Sequence, residues 1–483
     1  MSQPWERINN LPDDEQASRD VSVNTLSELR AELATAHSAR ALAAGWGFSH
    51  AGCTTGTRLR MLSFSGVSEP TDLLPGMTSR PFDLDVAVPS ESPGPLRRVG
   101  AGTSFADLNA ALHTLTVINQ PGFGDLTFGG VMMVGGHGSG INRGNIASQV
   151  RSMDLLTMPE RGVTKLVRLE PEPLSDPLQF VRQFGSDPRT AELIVDRALF
   201  DAAKVSFGTM GVLSSVVIDT RPSYRLHEDR DVRDLWADWA KIERQVRDPN
   251  VCGVHLWVNP YRVGADYKAL QSTYRRSLDM KRNERGWGIR EADAPFTRYI
   301  TRGIAKELPF FMPFALEFSF GALEADGVVM PSPEALDFGP PNKMQVSASS
   351  VSFPAEGLKD TLEKLLHHFK VTFPRNLVSS LIGIRWVKGS DAPLAPQFGR
   401  DSVMIEVPVL NDTEHQQETL QKYVEFAIKE LGGRPHWGQR FWMSSQELRS
   451  IYGAPQVDAF IAARRRLDPL GVFDNSLTRQ LAL

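Results

Sequence analysis

The sequence predicts an α+β fold spread over two or three domains. The chain has 483 residues, which is more than a single hydrophobic core usually organises. Helix-type and strand-type segments alternate between residues 223 and 433. Helices are predicted at 229–245 and 358–369, and strands at 254–258 and 402–410. This alternation is typical of a domain with one antiparallel sheet and flanking helices.

Composition and charge exclude several classes of protein. Hydrophobic residues make up 41% and charged residues 23% of the chain, which is typical of a globular protein rather than a disordered one. The formal net charge of -4 argues against nucleic acid as the main partner, because phosphate binding favours a basic surface. The two cysteines, Cys53 and Cys252, exclude a disulfide framework and a cysteine zinc site. A reducing, cytoplasmic compartment is therefore expected, and the polar, acidic first 16 residues do not resemble a secretory signal.

The most apolar stretch of the chain covers residues 308–316. It is shorter than the ~20 residues that span a bilayer, and Pro309 and Pro313 interrupt it. No transmembrane segment is therefore expected. Buried core is the predicted environment of this stretch, and an apolar substrate pocket or a membrane surface are the alternatives.

Residues 127–140 contain six glycines in fourteen positions. Each glycine weakens regular structure by roughly 0.5–1 kcal/mol relative to alanine, so such a cluster needs a compensating role. Backbone N–H groups that approach phosphates or a large planar cofactor would supply one. A turn that serves close packing alone is the alternative.

Three further segments combine strands with glycine turns or a helix. Residues 40–56 predict an apolar strand that enters a loop of small residues, and residues 205–222 predict a glycine turn that enters a β-branched strand. Residues 98–115 predict a strand, a turn and an amphipathic helix that Ser104 caps, with Asp107 in its first turn. The apolar face of that helix is formed by Phe105, Leu108, Leu112 and Leu115.

Other nucleotide and metal motifs are missing from the sequence. Gly100 and Gly102 follow a predicted strand, but Phe105 stands where a dinucleotide-binding turn needs its third glycine. The sequence contains neither a P-loop lysine motif nor a His-Glu-x-x-His zinc motif. No metal site is therefore expected.

The ordered series of glycine loops and strands resembles the FAD-binding domain of the vanillyl-alcohol oxidase superfamily. Within that superfamily it is most similar to the sugar-lactone oxidase and alditol oxidase group. Residues 434–438 and 467–475 resemble the closing motifs of this group, and residues 255–261 match loosely. Together the matches cover most of residues 20–222 and 380–480.

The resemblance implies a PCMH-type FAD-binding domain of two subdomains at residues 1–222. It also implies a substrate (cap) domain at 223–433 and a C-terminal segment, 434–483, that returns to the FAD-binding domain. The last predicted helix of this segment carries Val457, Phe460, Ile461 and Arg464, and Asp468-Pro469 ends it.

The resemblance also implies which residues contact FAD. In covalent members a histidine of the first loop is bonded to the flavin, and here Trp46 occupies that position. FAD is therefore predicted to be held non-covalently, with His50 as a less favoured attachment point. The implied FAD contacts are Ala43, Ala44, Gly45, Trp46, Gly47, Phe48, Ser49, Pro121, Thr127, Gly129, Gly130, Gly135, His137, Gly138, Ser139, Gly211, Val212, Arg385 and Asn475.

Two substrate residues of the family are replaced in this chain. The family carries Glu-x-Arg on a strand, and the corresponding residues here are Gly383 and Arg385. The family's substrate-binding Lys is Gln439. Arg385 is expected to stabilise negative charge near flavin N1 and the C2 carbonyl. An ordinary ion pair of Arg385 with Asp391 or Glu406 is the structural alternative.

The expected activity is that of an FAD-dependent oxidoreductase. The enzyme would remove a hydride from a carbon that bears oxygen or nitrogen and pass the electrons to oxygen or another acceptor. His436, Glu406 or Glu317 would take the proton. Because two charged contacts are lost, the small-molecule substrate is expected to be less polar or larger than a simple sugar, for example an intermediate of secondary metabolism. The alternatives are an aldonolactone or alditol oxidase with a rearranged site, and a flavin-binding protein with no net redox reaction.

Overall fold

The computed structural model describes residues 16–77, 93–279, 303–321, 324–337, 346–411 and 413–483. Most of the N-terminal stretch that was compared with a secretory signal lies outside these residues. Eleven strands precede residue 223: β1 (Arg19–Ser22), β2 (Ala39–Leu42), β3 (Thr57–Arg60), β4 (Val67–Ser68), β5 (Arg97–Gly100), β6 (Leu115–Thr116), β7 (Val150–Glu160), β8 (Val163–Glu170), β9 (Ala191–Val195), β10 (Val212–Ile218) and β11 (Arg221–Pro222).

These strands form three sheets. The first is a parallel sheet with strand order β1-β3-β2, and the second is a six-stranded sheet with order β4-β5-β10-β7-β8-β9. Strands β6 and β11 pair in a short two-stranded sheet. The helices of this part of the chain are α1 (Leu26–Thr35), α2 (Phe105–Leu112), α3 (Phe128–Met133), α4 (Pro177–Phe184) and α5 (Arg197–Lys204).

The helix predicted after Ser104 is present but ends earlier than expected. Ser104 Oγ accepts a hydrogen bond from the Asp107 N–H at 3.0 Å, as its N-cap role predicts. The helix ends at Leu112 because His113 takes a positive φ of 49°. Leu115 was predicted on the helix face, but the structure places it in strand β6.

An antiparallel sheet of eight strands dominates the rest of the chain, as predicted. Its strands are β12 (Arg225–Asp234), β13 (Val251–Val258), β14 (Lys268–Ser277), β15 (Ala325–Pro331), β16 (Val346–Pro354), β17 (Ile382–Val387), β18 (Ser402–Leu410) and β19 (Arg434–Pro435). The strand order is β15-β12-β14-β13-β17-β18-β16-β19. The later helices are α6 (Trp239–Arg247), α7 (Met312–Phe320), α8 (Ser332–Ala335), α9 (Leu358–Thr372), α10 (Gln416–Leu431), α11 (Ser445–Tyr452), α12 (Ala454–Leu467) and α13 (Ser476–Leu481).

The two faces of the eight-stranded sheet differ in polarity. Directly paired residues on neighbouring antiparallel strands share a face, and successive residues alternate between faces. One face carries a continuous apolar row formed by Leu256, Ile384, Ile405 and Val351, all fully buried. This row belongs to the same hydrophobic core as the inward side chains of α6, α9 and α10. The opposite face carries polar side chains, and it forms the candidate site described below.

The helix predicted at 229–245 is only half correct. Its first part belongs to strand β12, where Leu226, Glu228 and Arg230 are buried and the residues between them are more exposed. This is a period of two, which places alternate residues inside a sheet. Because most of these residues are charged, the sequence shows no alternation of apolar and polar residues that would predict a strand. Only the second part of the prediction is helical, as α6.

The apolar stretch at 308–316 is not simply buried core, contrary to the prediction. Met312 and Leu316 are buried, but Phe310, Phe311 and Phe314 are 66%, 59% and 60% exposed. The segment folds as a 3-10 turn and the start of α7, and a helix that is apolar all round can bury only one side against a single sheet. Among the described residues, no helix is both long and apolar enough to cross a membrane.

Two segments from outside the predicted cap domain, 223–433, contact or join the eight-stranded sheet. The Gly140 N–H donates to the Trp386 carbonyl at 2.7 Å, and Ser139 Oγ donates to the Val254 carbonyl. Strand β19 adds residues 434–435 to the edge of β16. The predicted C-terminal segment therefore begins inside this sheet, and the domain boundaries at 222 and 433 stay predictions.

Candidate functional site

Two rows of side chains cross the polar face of the eight-stranded sheet next to each other. Strand register places each row on consecutive strands β13, β17, β18 and β16. The first, here called the Arg385 row, consists of His255, Arg385, Met404 and Ser352. The second, here called the Glu406 row, consists of Trp257, Gly383, Glu406 and Ser350. The structure therefore brings together Arg385 and Glu406, which lie 21 residues apart in sequence.

The Arg385 guanidinium lies between the two rows. Its Nε donates to His255 Nε2 at 3.4 Å, and its Nη2 lies 3.5 Å from Glu406 Oε2. The Arg385 side chain is 15% exposed. Of the two acidic partners proposed from the sequence, Glu406 is the one that pairs with it. The separation is long for a charge-assisted hydrogen bond, so this pair leaves the cation able to stabilise a second negative charge.

Three imidazoles surround this guanidinium, and all three are neutral. Burial, together with the Arg385 charge, lowers the pKa of His436 to about 4. Burial, Arg385 and His436 hold the pKa of His137 well below its usual range. Burial, Arg385 and His137 do the same to the pKa of His255. Because these three imidazoles carry no charge, they do not compensate the Arg385 cation.

Hydrogen bonds assign opposite tautomers to the two imidazoles that face each other. The rings of His137 and His436 lie 5.8 Å apart in an edge-on arrangement. His436 Nδ1 accepts from the Gly438 N–H at 3.0 Å, so the proton of this neutral ring is on Nε2. His137 Nδ1 contacts the Gly138 carbonyl at 2.9 Å and must donate to it, which leaves Nε2 unprotonated. His436 is therefore a hydrogen-bond donor at its Nε2 rather than the proton acceptor expected from the sequence.

Glu406 and Gln439 form a polar pair beside Gly383. Gln439 Nε2 donates to Glu406 Oε1 at 2.7 Å, and the Glu406 side chain is 30% exposed. A Cβ added to Gly383 would lie 3.9 Å from Glu406 Oε2. Glu317, the other carboxylate proposed as a base, lies on α7 near Lys268 and not with Arg385.

The segment that carries His436 and Gln439 follows the edge of strand β16. The His436 N–H donates to the Ser350 carbonyl at 2.8 Å, and the Arg440 N–H donates to the Ala348 carbonyl at 3.0 Å. Trp437 is fully buried and its indole N–H donates to the Leu394 carbonyl. These contacts explain why residues far apart in sequence meet Arg385.

The first loop, residues 43–49, lies against this same segment. The Phe48 N–H donates to the Gly438 carbonyl at 2.8 Å, and Ser49 Oγ donates to the Trp437 carbonyl at 2.5 Å. The loop contains Ala43, Ala44, Gly45, Trp46 and Gly47, and Gly45 has a φ of 73°, which favours glycine. The loop predicted to hold FAD therefore contacts the segment at residues 436–438, which carries His436.

Asn475 holds the chain that follows this loop. Its Nδ2 donates to the carbonyls of His50 and Cys53 at 2.8 and 3.0 Å, and its Oδ1 accepts from the Thr478 N–H. These bonds use both ends of its amide, so Asn475 positions the loop. Its direct contact with FAD stays a prediction.

Several glycines of residues 127–140 allow close packing within the protein. A Cβ on Gly129 would lie 2.8 Å from the Ala101 carbonyl oxygen, and one on Gly138 would lie 2.5 Å from the Gln120 carbonyl oxygen. Gly135 has a φ of 70° at the end of α3, whereas Gly130 is exposed. Close packing, the alternative stated from the sequence, therefore accounts for part of this cluster.

The remaining predicted FAD contacts are Thr127, Pro121, Gly211 and Val212. Thr127 precedes α3 as its N-cap residue, with no side-chain cap hydrogen bond. Pro121 is buried, Gly211 has a φ of 138°, and Val212 packs in the core behind the parallel sheet. Their contacts with FAD stay predictions.

The residues of this site fit an FAD. The Arg385 cation, with neutral imidazoles around it, would stabilise the negative charge of a reduced flavin ring. The loop at 43–49 is hydrogen-bonded to the segment at 436–438, which carries His436 near that cation. Arg385 is the guanidinium for which the sequence predicted this role.

Sequence reasoning missed two residues of the polar face. His255 contacts Arg385 and packs against Trp257, with ring centroids 3.6 Å apart. Ser350 is directly paired with Glu406. His255 was inside a motif that matched only loosely. Its spacing of two from Trp257 on a strand was the signal that placed both on one face.

We expect the free energy of unfolding to fall as the pH drops from about 6.5 toward 4. The unfolded state binds protons at histidine below about pH 6.5, whereas His436 stays neutral in the folded state down to its pKa of about 4. Stability then decreases by up to about 1.4 kcal/mol per pH unit for each such imidazole. Urea unfolding at several pH values measures this slope.

His436→Gln removes the titrating group and should reduce the slope by about 1.4 kcal/mol per pH unit at pH 5. His37→Gln, at an exposed histidine, is the matched control. Equal slopes in the wild type and His436→Gln would show that His436 is not held neutral by its surroundings.

Comparison with known proteins identifies the family of this chain. A family model described as D-arabinono-1,4-lactone oxidase matches residues 216–481. An L-gulono-1,4-lactone dehydrogenase of Mycobacterium tuberculosis is 25% identical over 92% of this chain and 90% of its own length. An alditol oxidase of a Streptomyces species is 24% identical over 87% of this chain and 88% of its own length.

A solved structure shows the same fold. The cholesterol oxidase of B. sterolicum aligns with a TM-score of 0.73 over 96% of this chain and 93% of that chain, at 14% identity. This confirms the PCMH-type FAD-binding fold with an antiparallel sheet. The chain belongs to the D-arabinono-1,4-lactone oxidase family and is an FAD-dependent oxidoreductase that acts on CH–OH groups.

Proposed function

We propose that this enzyme oxidises a CH–OH group of a substrate larger than a simple aldonolactone or alditol. The observation that supports this is the absence of a side chain at Gly383, in the middle of the Glu406 row. A Cβ at this position would meet His255 Nε2 at 3.5 Å and Glu406 Cβ at 3.8 Å, which are ordinary contact distances. The family's glutamate side chain is missing here, and we infer that the volume it would fill is available to a larger substrate.

An aldonolactone or alditol oxidase with a rearranged site is the second candidate. Glu406 favours it, because this carboxylate lies next to the position of the missing one. The names of the similar proteins, which include a lactone dehydrogenase and an alditol oxidase, also favour it. The site is thus less depleted of charge than the sequence suggested. Of the two expectations, larger or less polar, the geometry supports the larger substrate.

The residues of the two rows have separate tasks in this proposal. FAD, when bound, supplies the hydride acceptor, and the electrons then pass to oxygen or another acceptor. Arg385 provides a fixed positive charge where negative charge develops. His255 orients that guanidinium through its Nε2. His436 Nε2–H is a hydrogen-bond donor on the same side.

The hydroxyl proton of the substrate is best received by Glu406. This carboxylate is partly exposed and already accepts hydrogen bonds. Burial and the Arg385 charge hold the pKa of His137 well below its usual range, so its unprotonated Nε2 has a low affinity for a proton. Glu317 is placed elsewhere, near Lys268.

FAD is held without a covalent bond in this proposal. Trp46 has no imidazole nitrogen to bond with the flavin. His50 lies in a 3-10 turn that packs against α13, and its carbonyl is bound by Asn475. These contacts hold the backbone of His50 at the C-terminal helix.

We expect the purified protein to release its flavin completely on acid precipitation and to leave a colourless pellet. The absence of a nucleophilic histidine at position 46 is the reason. Flavin fluorescence of the washed pellet is the measurement. A fluorescent pellet from the wild type would contradict non-covalent binding, and a colourless pellet from His50→Ala would then identify His50 as the attachment point.

We expect anaerobic mixing with a suitable alcohol to bleach the long-wavelength absorption band of the bound flavin. A panel that runs from xylitol and gulonolactone to larger secondary alcohols and glycosides tests the proposal. The larger alcohols should reduce the flavin faster than the simple sugars. Arg385→Ala should slow the reduction by about 10²-fold, in the range of losing one preorganised charge at a transition state.

Faster bleaching by xylitol or gulonolactone than by any larger alcohol would favour the second candidate. Flavin that no alcohol of the panel bleaches would favour a flavin-binding protein with no net redox reaction. Unchanged reduction in Arg385→Ala would mean that the Arg385–Glu406 pair is only structural.

A further inference from the structure

A cavity of about 450 Å³ lies at the end of the eight-stranded sheet where strands β13 and β14 are connected. None of its lining residues belongs to the Arg385 row or to the Glu406 row. Its volume is in the range of sites that bind small molecules, which are lined mainly by aromatic and apolar side chains with a few polar groups. The proposed oxidation does not use this cavity.

Two pairs of aromatic rings form the walls of the cavity. The rings of Trp236 and Tyr267 meet edge-on with their centroids 6.4 Å apart, and those of Tyr261 and Phe373 lie 4.8 Å apart. Tyr261 is buried, and the Val378 N–H donates to its hydroxyl at 2.7 Å. Tyr261 is therefore fixed before any ligand binds. Such walls favour a planar, aromatic ligand.

Two cations lie at one end of this cavity. Arg262 directly follows Tyr261, and Lys370 precedes Phe373 by three residues on α9, which places both on one face of that helix. Since Tyr261 packs against Phe373, both cations belong to the same end. In the part of the chain that the structure describes, neither side chain has an ion-pair or hydrogen-bond partner.

The nearby carboxylates do not neutralise this end. Asp266 accepts hydrogen bonds from the backbone N–H groups of residues 236, 237 and 267. Glu363 lines the cavity from α9, but two helical turns, about 10 Å along the axis, separate it from Lys370. An anion would therefore be attracted to the Lys370 end of the cavity and not to the Glu363 end.

We propose that this cavity is a second binding site, separate from the oxidation site, and that it takes a planar aromatic carboxylate. The ligand rings lie between the two aromatic pairs, and the carboxylate pairs with Arg262 and Lys370. A guanidinium and a carboxylate form two parallel charge-assisted hydrogen bonds, which select a carboxylate over a neutral group. This inference does not depend on which alcohol the enzyme oxidises.

The proposed site is connected to the strands of the oxidation site through Tyr261. This residue follows β13, which carries His255, and its hydroxyl binds the backbone of Val378 ahead of β17, which carries Arg385. A ligand in the cavity therefore contacts a residue that links these two strands.

Titration of the FAD-loaded protein with 2-naphthoate and with 2-naphthamide, followed by ligand-observed NMR, tests this proposal. The two compounds have the same rings, but only naphthoate is charged near neutral pH. The wild type should bind naphthoate with a Kd of about 1 mM or lower, which is the range that a ligand of this size reaches. It should bind the amide about tenfold more weakly, because the charge-assisted hydrogen bonds are lost.

Variants of exposed residues around the cavity separate recognition from folding. Arg262→Gln combined with Lys370→Gln should reduce the preference for naphthoate to about twofold or less. Glu363→Gln should strengthen naphthoate binding by about two- to threefold, because a repelling charge is removed. Tyr267→Leu should weaken the binding of both compounds, because one aromatic wall is lost. Lys364→Gln, an exposed lysine of α9 outside the cavity lining, should change neither affinity.

Equal affinity for the two compounds in the wild type would overturn the proposal, and so would a naphthoate preference that survives in the double variant. Failure of naphthoate to bind at up to about ten times the expected Kd would overturn it as well. Arg385→Ala checks the location, because the oxidation site also contains a cation. Naphthoate should still bind to this variant. Binding that is lost in Arg385→Ala and kept in the double variant would place the anion at the oxidation site and contradict a second site.

Discussion

The structure of the site depends on one buried positive charge, that of Arg385. A guanidinium cannot lose its proton in a protein, so its neighbours must adjust to it. The three imidazoles around it stay neutral, and Glu406 pairs with it at 3.5 Å. The tautomers of His137 and His436 then follow from their backbone partners. The result is a site whose donors and acceptors are fixed before any ligand enters.

The antiparallel sheet makes this arrangement possible. Successive residues of each strand lie on opposite faces of the sheet. The apolar row therefore faces the helices, and the polar rows lie on the opposite face; the apolar row is formed by Leu256, Ile384, Ile405 and Val351. The Arg385 and Glu406 rows are offset by two residues, so the guanidinium and the carboxylate lie side by side. The segment at 436–440 then adds Gln439 along the edge of β16. A lysine at position 439 would present only donors, whereas the Gln439 amide also has an acceptor oxygen.

Local signals in the sequence predicted part of this fold. The N-cap at Ser104 and the strands at 254–258 and 402–410 have short-range causes, and the structure contains them. The family resemblance predicted the fold class and the cofactor. The charged strand β12 was mistaken for a helix, because its burial depends on neighbouring strands and not on its composition. The exposure of Phe310 and Phe314 could not be read from hydrophobicity alone.

The candidate site was predictable only in pieces. Arg385, His436 and Gln439 were named from the family motifs, and Glu406 as a partner of Arg385 or a base. Their contacts depend on strand register, which a single sequence does not reveal. For the same reason His255 and Ser350 were missed. The loss of a carboxylate at Gly383 was visible in the sequence. The structure adds that Glu406 is paired with Gly383 on the neighbouring strand, so another carboxylate lies beside this position.

Sulfite binding to the oxidised flavin tests the central role of Arg385 most directly, because it needs no substrate. Sulfite adds to flavin and leaves negative charge on the N1 and C2 carbonyl side of the ring. We expect the wild type to bind sulfite and Arg385→Ala to bind it about tenfold or more weakly, roughly 1.4 kcal/mol of lost charge stabilisation. Arg230→Ala, three strands away on the same face, should change sulfite affinity far less. Equal sulfite affinity in the wild type and Arg385→Ala would contradict the account, because the buried cation would then not face the flavin.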